Sequence, residues 1–187
     1  MHISKPYAQA PAEGRCPEEL AAFAALDELK IPYTRVEHDP ADTMEDCADI
    51  SEALGVSLCK NLFLCNRQQT DFYLLCMPAD KPFKTKDLSR QIGSARLSFA
   101  SGEDMVRLLG CTPGSASILG LRNDTGRNVR LLIDRPVAEA EWFGCHPCKN
   151  DGSLKIKTAD LFRVFLPSTG HDLTVVDLPK ISEPAGE

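Results

Sequence analysis

Leu58-Cys59-Lys60-Asn61-Leu62-Phe63-Leu64-Cys65 and Phe72-Tyr73-Leu74-Leu75-Cys76-Met77 flank a polar stretch, Asn66-Arg67-Gln68-Gln69-Thr70-Asp71. Short apolar runs on either side of turn-forming residues read as two strands of a hairpin. Upstream, residues 16–30 carry a helical pattern: Pro17 suits a first turn, Glu18 and Glu19 follow, and Leu20, Phe23, Ala24, Leu26 and Leu29 form one stripe. Ile31-Pro32 ends it, and residues 33–38 read as a strand. A second helix is expected over 43–54, capped by Thr43 and stopped by Gly55. Helices interleaved with a hairpin point to an α/β (α+β) domain with a mixed sheet.

Downstream, the pattern predicts a helix over 84–92 closed by Gly93, a strand over 96–99 and a helix over 102–109. Strands at 117–121 and 129–134, either side of Asn123-Asp124-Thr125-Gly126, suggest a second hairpin. A strand at 153–157, a helix at 158–166 and a strand at 173–178 complete the pattern. Residues 1–14, with Pro6, Pro11 and Gly14, read as a flexible tail, 15–180 as the single folded domain and 181–187 as a C-terminal tail.

A chain of 187 residues, 43% of them hydrophobic, can bury one substantial core. No apolar run approaches the roughly 20 residues that cross a bilayer, and the N-terminus has no apolar h-region. A cytoplasmic protein without membrane contact is expected. Its eight cysteines then read as reduced, small hydrophobes. Residues 1–55 hold four Lys/Arg against twelve Asp/Glu, whereas residues 60–96 hold seven Lys/Arg against three Asp. Such asymmetry can focus a nucleic-acid backbone on one surface; a solvated helix face around Lys81 and Arg90 explains it equally well.

The candidate pocket lies between Leu108 and Asp124, where Gly110, Pro113 and Gly114 turn the backbone sharply and expose N–H groups. Lys60 alternates with Leu58, Leu62 and Leu64, so it either serves an anion or pocket or snorkels from the strand end. Cys145-His146-Pro147-Cys148 has the spacing of a redox pair or half a zinc site. The following Asn150-Asp151-Gly152 is turn chemistry, not the helix a thioredoxin-like pair opens, and a zinc site would need a second ligand pair, for which Cys111 and His171 are the only tempting recruits. His171, behind Gly170, reads as a helix-end cap. Asn123 and Asp124 suit either a pocket or a turn. No phosphate-binding P-loop, G-x-G-x-x-G, G-x-S-x-G or H-E-x-x-H is present. No metal and no cofactor is expected.

In series, these residues resemble the YbaK/prolyl-tRNA synthetase-associated domain family of tRNA-editing deacylases, and most of all its free-standing Ala-tRNA(Pro) deacylases (the ProX type). The resemblance rests on Lys60-Asn61-Leu62-Phe63-Leu64, Leu97-Ser98-Phe99-Ala100, Gly114-Ser115-Ala116-Ser117 with Gly120-Leu121 and Asn123-Asp124, His146-Pro147 with Asn150, Asp160-Leu161, and Gly170-His171. It implies a mixed, barrel-like sheet surrounded by helices, and hydrolysis of the ester joining a wrong amino acid to tRNA. By position, Lys60 corresponds to the family's active-site lysine, placed to contact the tRNA's terminal phosphate or sugar. Gly114, Ser115, Ala116, Ser117 and Ile118 correspond to its G-x-x-x-P loop, which holds the aminoacyl group and its carbonyl, and His146 to its pocket histidine. Asn123 and Asn150 join the implied substrate contacts. Two features depart from the family: Ile118 stands where its loop ends in proline, and Asp151-Gly152 replaces small uncharged residues.

The implied chemistry suits the residue set. An activated ester needs mainly a placed water and a stabilised oxyanion, and loop amides supply the second without a side-chain nucleophile. The family is thought to recruit the tRNA's own ribose hydroxyl. A small pocket admits alanine and excludes proline. The expected partners are the tRNA(Pro) acceptor end and a prolyl-tRNA synthetase, served in trans. Alternatives are a deacylase for mischarged Cys, Ser or Thr, a non-catalytic tRNA binder, or a thiol redox protein using Cys145 and Cys148.

Overall fold

The computed structural model describes residues 1–180, so the tail expected over 181–187 lies outside the described residues. α1 (Pro17–Glu28) starts on its proline and buries Ala22, Phe23 and Leu26. After β1 (Tyr33–Glu37) comes α2 (Met44–Leu54). The Thr43 hydroxyl accepts from the Asp46 N–H at 3.0 Å, the Asp46 carboxylate accepts from the Thr43 N–H at 2.9 Å, and Gly55 ends the helix at φ +64°. The expected hairpin is β2 (Cys59–Asn66) and β3 (Phe72–Pro78), antiparallel, with Leu62 opposite Leu75. Its turn is held by the Asn66 amide oxygen, which accepts from the Thr70 and Asp71 N–H groups.

α3 (Thr85–Ile92), β4 (Leu97–Phe99) and α4 (Gly102–Leu109) follow as expected. Beyond the central loop come β5 (Val129–Asp134), the single turn α5 (Arg135–Ala138), β6 (Trp142–Cys145) and β7 (Gly152–Lys157). The chain ends in α6 (Thr158–Asp160), a π-helical turn (Leu161–Phe165), α7 (Leu166–Thr169) and β8 (Leu173–Val176).

The domain is α/β with a mixed sheet, in the order β4-β2-β3-β5-β8. The β4-β2 and β2-β3 pairs are antiparallel, whereas β3-β5 and β5-β8 are parallel. The sheet is not barrel-like, however. β1-β7-β6 form a separate antiparallel sheet, and among the described residues no barrel closes. Among the described residues one parallel bridge, Leu58 to Gly144, joins the two sheets. A Cβ at position 144 would stand 2.7 Å from the Ser57 carbonyl oxygen, so this approach of two backbones requires glycine.

Residues 117–121 are not a strand. Ile118–Asn123 form a 3₁₀ helix capped by the Ser117 hydroxyl, which accepts from the Leu119 N–H at 3.1 Å. Ile118, Leu119 and Leu121 are all fully buried, and a run buried on every side has no period by which to tell strand from helix. The second hairpin therefore does not form, and β5 sits between β3 and β8. Residues 1–14, read from sequence as a tail, lie partly along β1: Tyr7 and Arg35 exchange backbone hydrogen bonds at 2.8 Å, and Ile3 bridges to His38.

The five-stranded sheet has two packed faces. Phe63, Cys65, Leu74, Cys76, Leu131 and Ile133 meet α1, the central loop and the smaller sheet. Leu64, Leu75, Met77 and Leu132 meet Leu88 of α3 and Val176. At the sheet's end the Lys81 ammonium lies 2.5 Å from the Asp134 carboxylate, which also accepts from the Leu178 N–H at 2.9 Å. No described helix is long and apolar enough to cross a membrane.

Candidate active site

The central loop turns where its composition demands. Ser115 N–H donates to the Thr112 carbonyl at 3.0 Å, and Gly114, behind Pro113, has φ +87°, the geometry of a type II turn. Side-chain hydroxyls then fasten the loop to the segment after β6. The Ser115 hydroxyl is shared between the Thr112 carbonyl at 2.8 Å and the Cys148 carbonyl at 3.1 Å. That of Ser117 donates to the His146 carbonyl at 2.6 Å. Asn150 closes the opposite side: its amide donates to the Ala41 carbonyl at 3.1 Å, and its nitrogen lies 3.8 Å from where a Cβ on Gly114 would stand. Gly114, Ser115, Ala116, Ser117, Ile118, His146 and Asn150 are thus brought together.

Two kinds of polar group there lack partners. Among the described residues the backbone N–H groups of Gly114, Ala116 and Ser117 make no hydrogen bond. The Asn150 amide oxygen is sealed from solvent and likewise unpaired. Buried donors and acceptors are normally satisfied, so the unpaired groups of Ala116, Ser117 and Asn150 mark a place for a polar ligand, with the N–H of exposed Gly114 beside them.

The His146 imidazole lies in the same segment. Its Nδ1 is 2.8 Å from the Gly152 carbonyl and 3.1 Å from the Ser153 hydroxyl. Ser153 is in turn 2.8 Å from His38 Nε2, and His38 Nδ1 is 2.7 Å from the Asp39 carbonyl. Burial pulls the His146 imidazole below its ordinary value; the Gly152 carbonyl and Asp151 oppose this, and His38 reinforces it. Beside Gly152, the Arg15 guanidinium joins Glu19 at 2.7 Å and Asp151 at 3.0 Å, fixing the turn to α1. Burial raises the Glu19 carboxyl against the pull of Arg15.

His38, Ser153, Arg15 and Glu19 were missed from sequence. The β1–β7 register, Val36 opposite Ser153, is what brings His38 to Ser153. No local pattern announces a contact across 115 positions.

Lys60 is not in this cluster. It alternates with Leu62 and Leu64, and its ammonium donates to the Lys81 carbonyl at 2.6 Å. Burial pulls its pKa down, with Asp80 opposing. Asn61 takes the other side of the strand, where its amide oxygen is buried without a partner. Asn123 donates to the Leu109 carbonyl at 2.9 Å and so finishes α4. Asp124 is a turn residue: its carboxylate accepts from Asn128 and Val129 N–H groups and meets His171 Nε2 at 2.9 Å. Cys145 and Cys148 are buried free thiols. Burial pushes Cys145 up, and a side-chain hydrogen bond shared with Cys111, together with burial, pushes Cys148 up. The described residues contain no group of three or more His, Cys, Asp or Glu that could hold a metal ion.

The model of the aminoacyl-tRNA editing domain matches residues 38–164, a span that holds the loop, His146 and its partners His38 and Ser153. The chain belongs to the aminoacyl-tRNA editing domain family. This editing domain is 32% identical over 158 residues to the prolyl-tRNA editing protein ProX of Acetoanaerobium sticklandii, covering 84% of this chain and 96% of that one. It is 33% identical over 166 residues to the prolyl-tRNA synthetase associated domain-containing protein 1 of Danio rerio, covering 88% and 87%. A crystal structure described as that of a candidate trans-editing enzyme for prolyl tRNA synthetase shares the fold, with a TM-score of 0.64 and 16% identity over 89% of this chain and all of that one.

Within the editing domain, a loop with three free amides is tied by Ser117 to the backbone of His146, whose imidazole has a lowered pKa, an arrangement suited to ester hydrolysis. The amides can receive a developing oxyanion, and a neutral imidazole can accept a proton.

Proposed function

We propose that this editing domain is a trans-acting deacylase that hydrolyses the ester of Ala-tRNA(Pro). The unpartnered N–H groups of Gly114, Ala116 and Ser117, in a loop tied to His146, carry the reading. A similarity over nearly the whole length of a prolyl-tRNA editing protein supports it.

The aminoacyl carbonyl sits against the loop amides, with its α-amino group toward the Asn150 oxygen. Water attacks the carbonyl carbon, and its proton passes to His146 or is relayed by the free ribose hydroxyl, which gives its own hydrogen to the departing oxygen. The tetrahedral oxyanion is held by the amides until the ester C–O bond breaks, and the departing ribose oxygen takes up the proton. Ala116 and Ile118 bound a small acyl pocket that receives alanine and rejects proline. Lys60 serves the nucleic acid in this reading, its ammonium exchanging the Lys81 carbonyl for the terminal phosphate or sugar. The tRNA(Pro) acceptor end is the partner, with a prolyl-tRNA synthetase as its source in the cytoplasm.

The test is release of alanine from Ala-tRNA(Pro), with Pro-, Cys- and Ser-tRNA(Pro) alongside. Fast release from the alanyl ester, absent from the prolyl ester and lost in Ser117→Ala, is expected. Equal release from the prolyl or cysteinyl ester would overturn the assignment to alanine, and tRNA binding without turnover would leave a non-catalytic binder.

A further inference from the structure

We propose that His38 and Ser153 are positioning residues that hold His146 with its hydrogen on Nδ1 and its Nε2 lone pair free for the reacting water. This rests on the deacylase reading, but its main test does not depend on it.

The hydrogens can be placed one by one from donor and acceptor rules. A carbonyl oxygen only accepts, so His38 Nδ1, 2.7 Å from the Asp39 carbonyl, carries the hydrogen. In neutral His38 the other nitrogen is then an acceptor, and its partner at 2.8 Å, the Ser153 hydroxyl, must be the donor. With its one hydrogen committed to His38, Ser153 offers only lone pairs to His146 Nδ1 at 3.1 Å. The Gly152 carbonyl, 2.8 Å from the same nitrogen, also only accepts. Both neighbours therefore demand a hydrogen on His146 Nδ1, which leaves Nε2 bare. Among the described residues Nε2 makes no hydrogen bond, nor is it sealed from solvent.

The geometry gives His38 a distinct part. The two imidazole rings are 6.0 Å apart, too far for a direct bond, so Ser153 is the connection. Without a neutral His38 behind it, the Ser153 hydroxyl is free to rotate and donate to Nδ1. That would move the His146 hydrogen to Nε2 and turn the site's acceptor into a donor. The charged groups around the imidazole are Asp151, within the same turn, and the Arg15–Glu19 pair from α1, while His38 faces it from the end of β1. Asp151 is paired with Arg15 at 3.0 Å, and both groups bonded to His146 Nδ1 are uncharged, so the hydrogen-bond chain selects the tautomer.

The imidazole ¹⁵N resonances of the whole protein test this directly. Protonated Nδ1 and bare Nε2 at both His38 and His146 are expected in the unaltered protein at neutral pH; a hydrogen on His146 Nε2 would overturn the proposal whatever the substrate. In His38→Phe the Ser153 hydroxyl loses its acceptor and can donate to His146 Nδ1 in competition with the Gly152 carbonyl, so the Nε2–H form of His146 should become populated and kcat for Ala-tRNA(Pro) should fall roughly tenfold or more at nearly constant KM. Adding Ser153→Ala to that variant removes the competing donor and leaves the Gly152 carbonyl, so the double variant should return the hydrogen to His146 Nδ1. Unchanged His146 ¹⁵N resonances in His38→Phe would refute the positioning role. Absence of deacylation in the unaltered protein would refute the substrate assignment alone.

Discussion

The Ser117 hydroxyl donates to the His146 carbonyl at 2.6 Å, joining two segments that lie 29 positions apart in the chain. The same oxygen accepts from the Leu119 N–H, so one side chain caps the 3₁₀ helix and locks the loop to the histidine. Ser117→Ala leaves a buried carbonyl and a buried N–H without partners, at a cost of about 1–3 kcal/mol. Urea denaturation should show a lower midpoint, and deacylation at a temperature where the variant remains folded should still be reduced. Unaltered turnover there would mean that the clamp does not position the loop.

Two glycines of this region should respond differently to the same substitution. At Gly120 a Cβ would stand 2.6 Å from the Leu109 carbonyl oxygen and 3.0 Å from Cys111 Sγ, both in packed surroundings. Gly120→Ala should cost about 1–3 kcal/mol through overpacking, read as a drop in melting temperature. At Gly114 the nearest atom is 3.8 Å away, but φ is +87°. Gly114→Ala should therefore cost about 1–2 kcal/mol from backbone strain alone. It also re-aims the loop amides, so turnover should fall more than stability does.

Lys60 and Lys81 separate in the same way. The Lys81–Asp134 pair is buried on both sides, and truncating Asp134 to alanine leaves an unpaired buried ammonium, a loss of about 3–5 kcal/mol. Lys60 gives one hydrogen bond to a carbonyl from a half-buried position. Lys60→Ala should stay folded, with circular dichroism and melting close to the parent, while tRNA-dependent turnover falls. A Lys60→Ala protein that unfolds with Asp134→Ala would assign Lys60 to the fold.

The pH dependence follows from His146. Its pKa in the folded chain lies below the unfolded value of about 6.5. Between those two values the unfolded state binds the extra proton and the folded state does not, so stability rises with pH across the window and is lost toward its acid end. The acid limb of the deacylation rate should accordingly fall below about pH 6.5. A limb at or above that pH would show that His146 does not supply the acceptor.

Where hydrogen bonds span three or four residues, the fold was legible. Thr43 and Asp46 cap α2, Gly55 stops it, and Asn66 closes the β2–β3 turn because their side chains meet backbone groups a few positions away. Pro113-Gly114 announced the central turn for the same reason. Illegible were elements whose state is set by what covers them. Ile118–Asn123 is apolar on all sides and so has no period. β6 has only four residues, and its pairing depends on β7 and on the approach that Gly144 permits.

The amino-acid order alone settled the loop's composition and the turn within it, because these are properties of neighbouring residues. Tertiary structure decided which of the candidate residues meet. Lys60 and Asn61 are adjacent and point to opposite faces of one strand, and a register slip of one residue would exchange them. The β1–β7 register brings His38 to Ser153 and the Ser117 hydroxyl brings the loop to His146; both contacts exist only when distant backbones are held at fixed offsets by sheet pairing and a shared core.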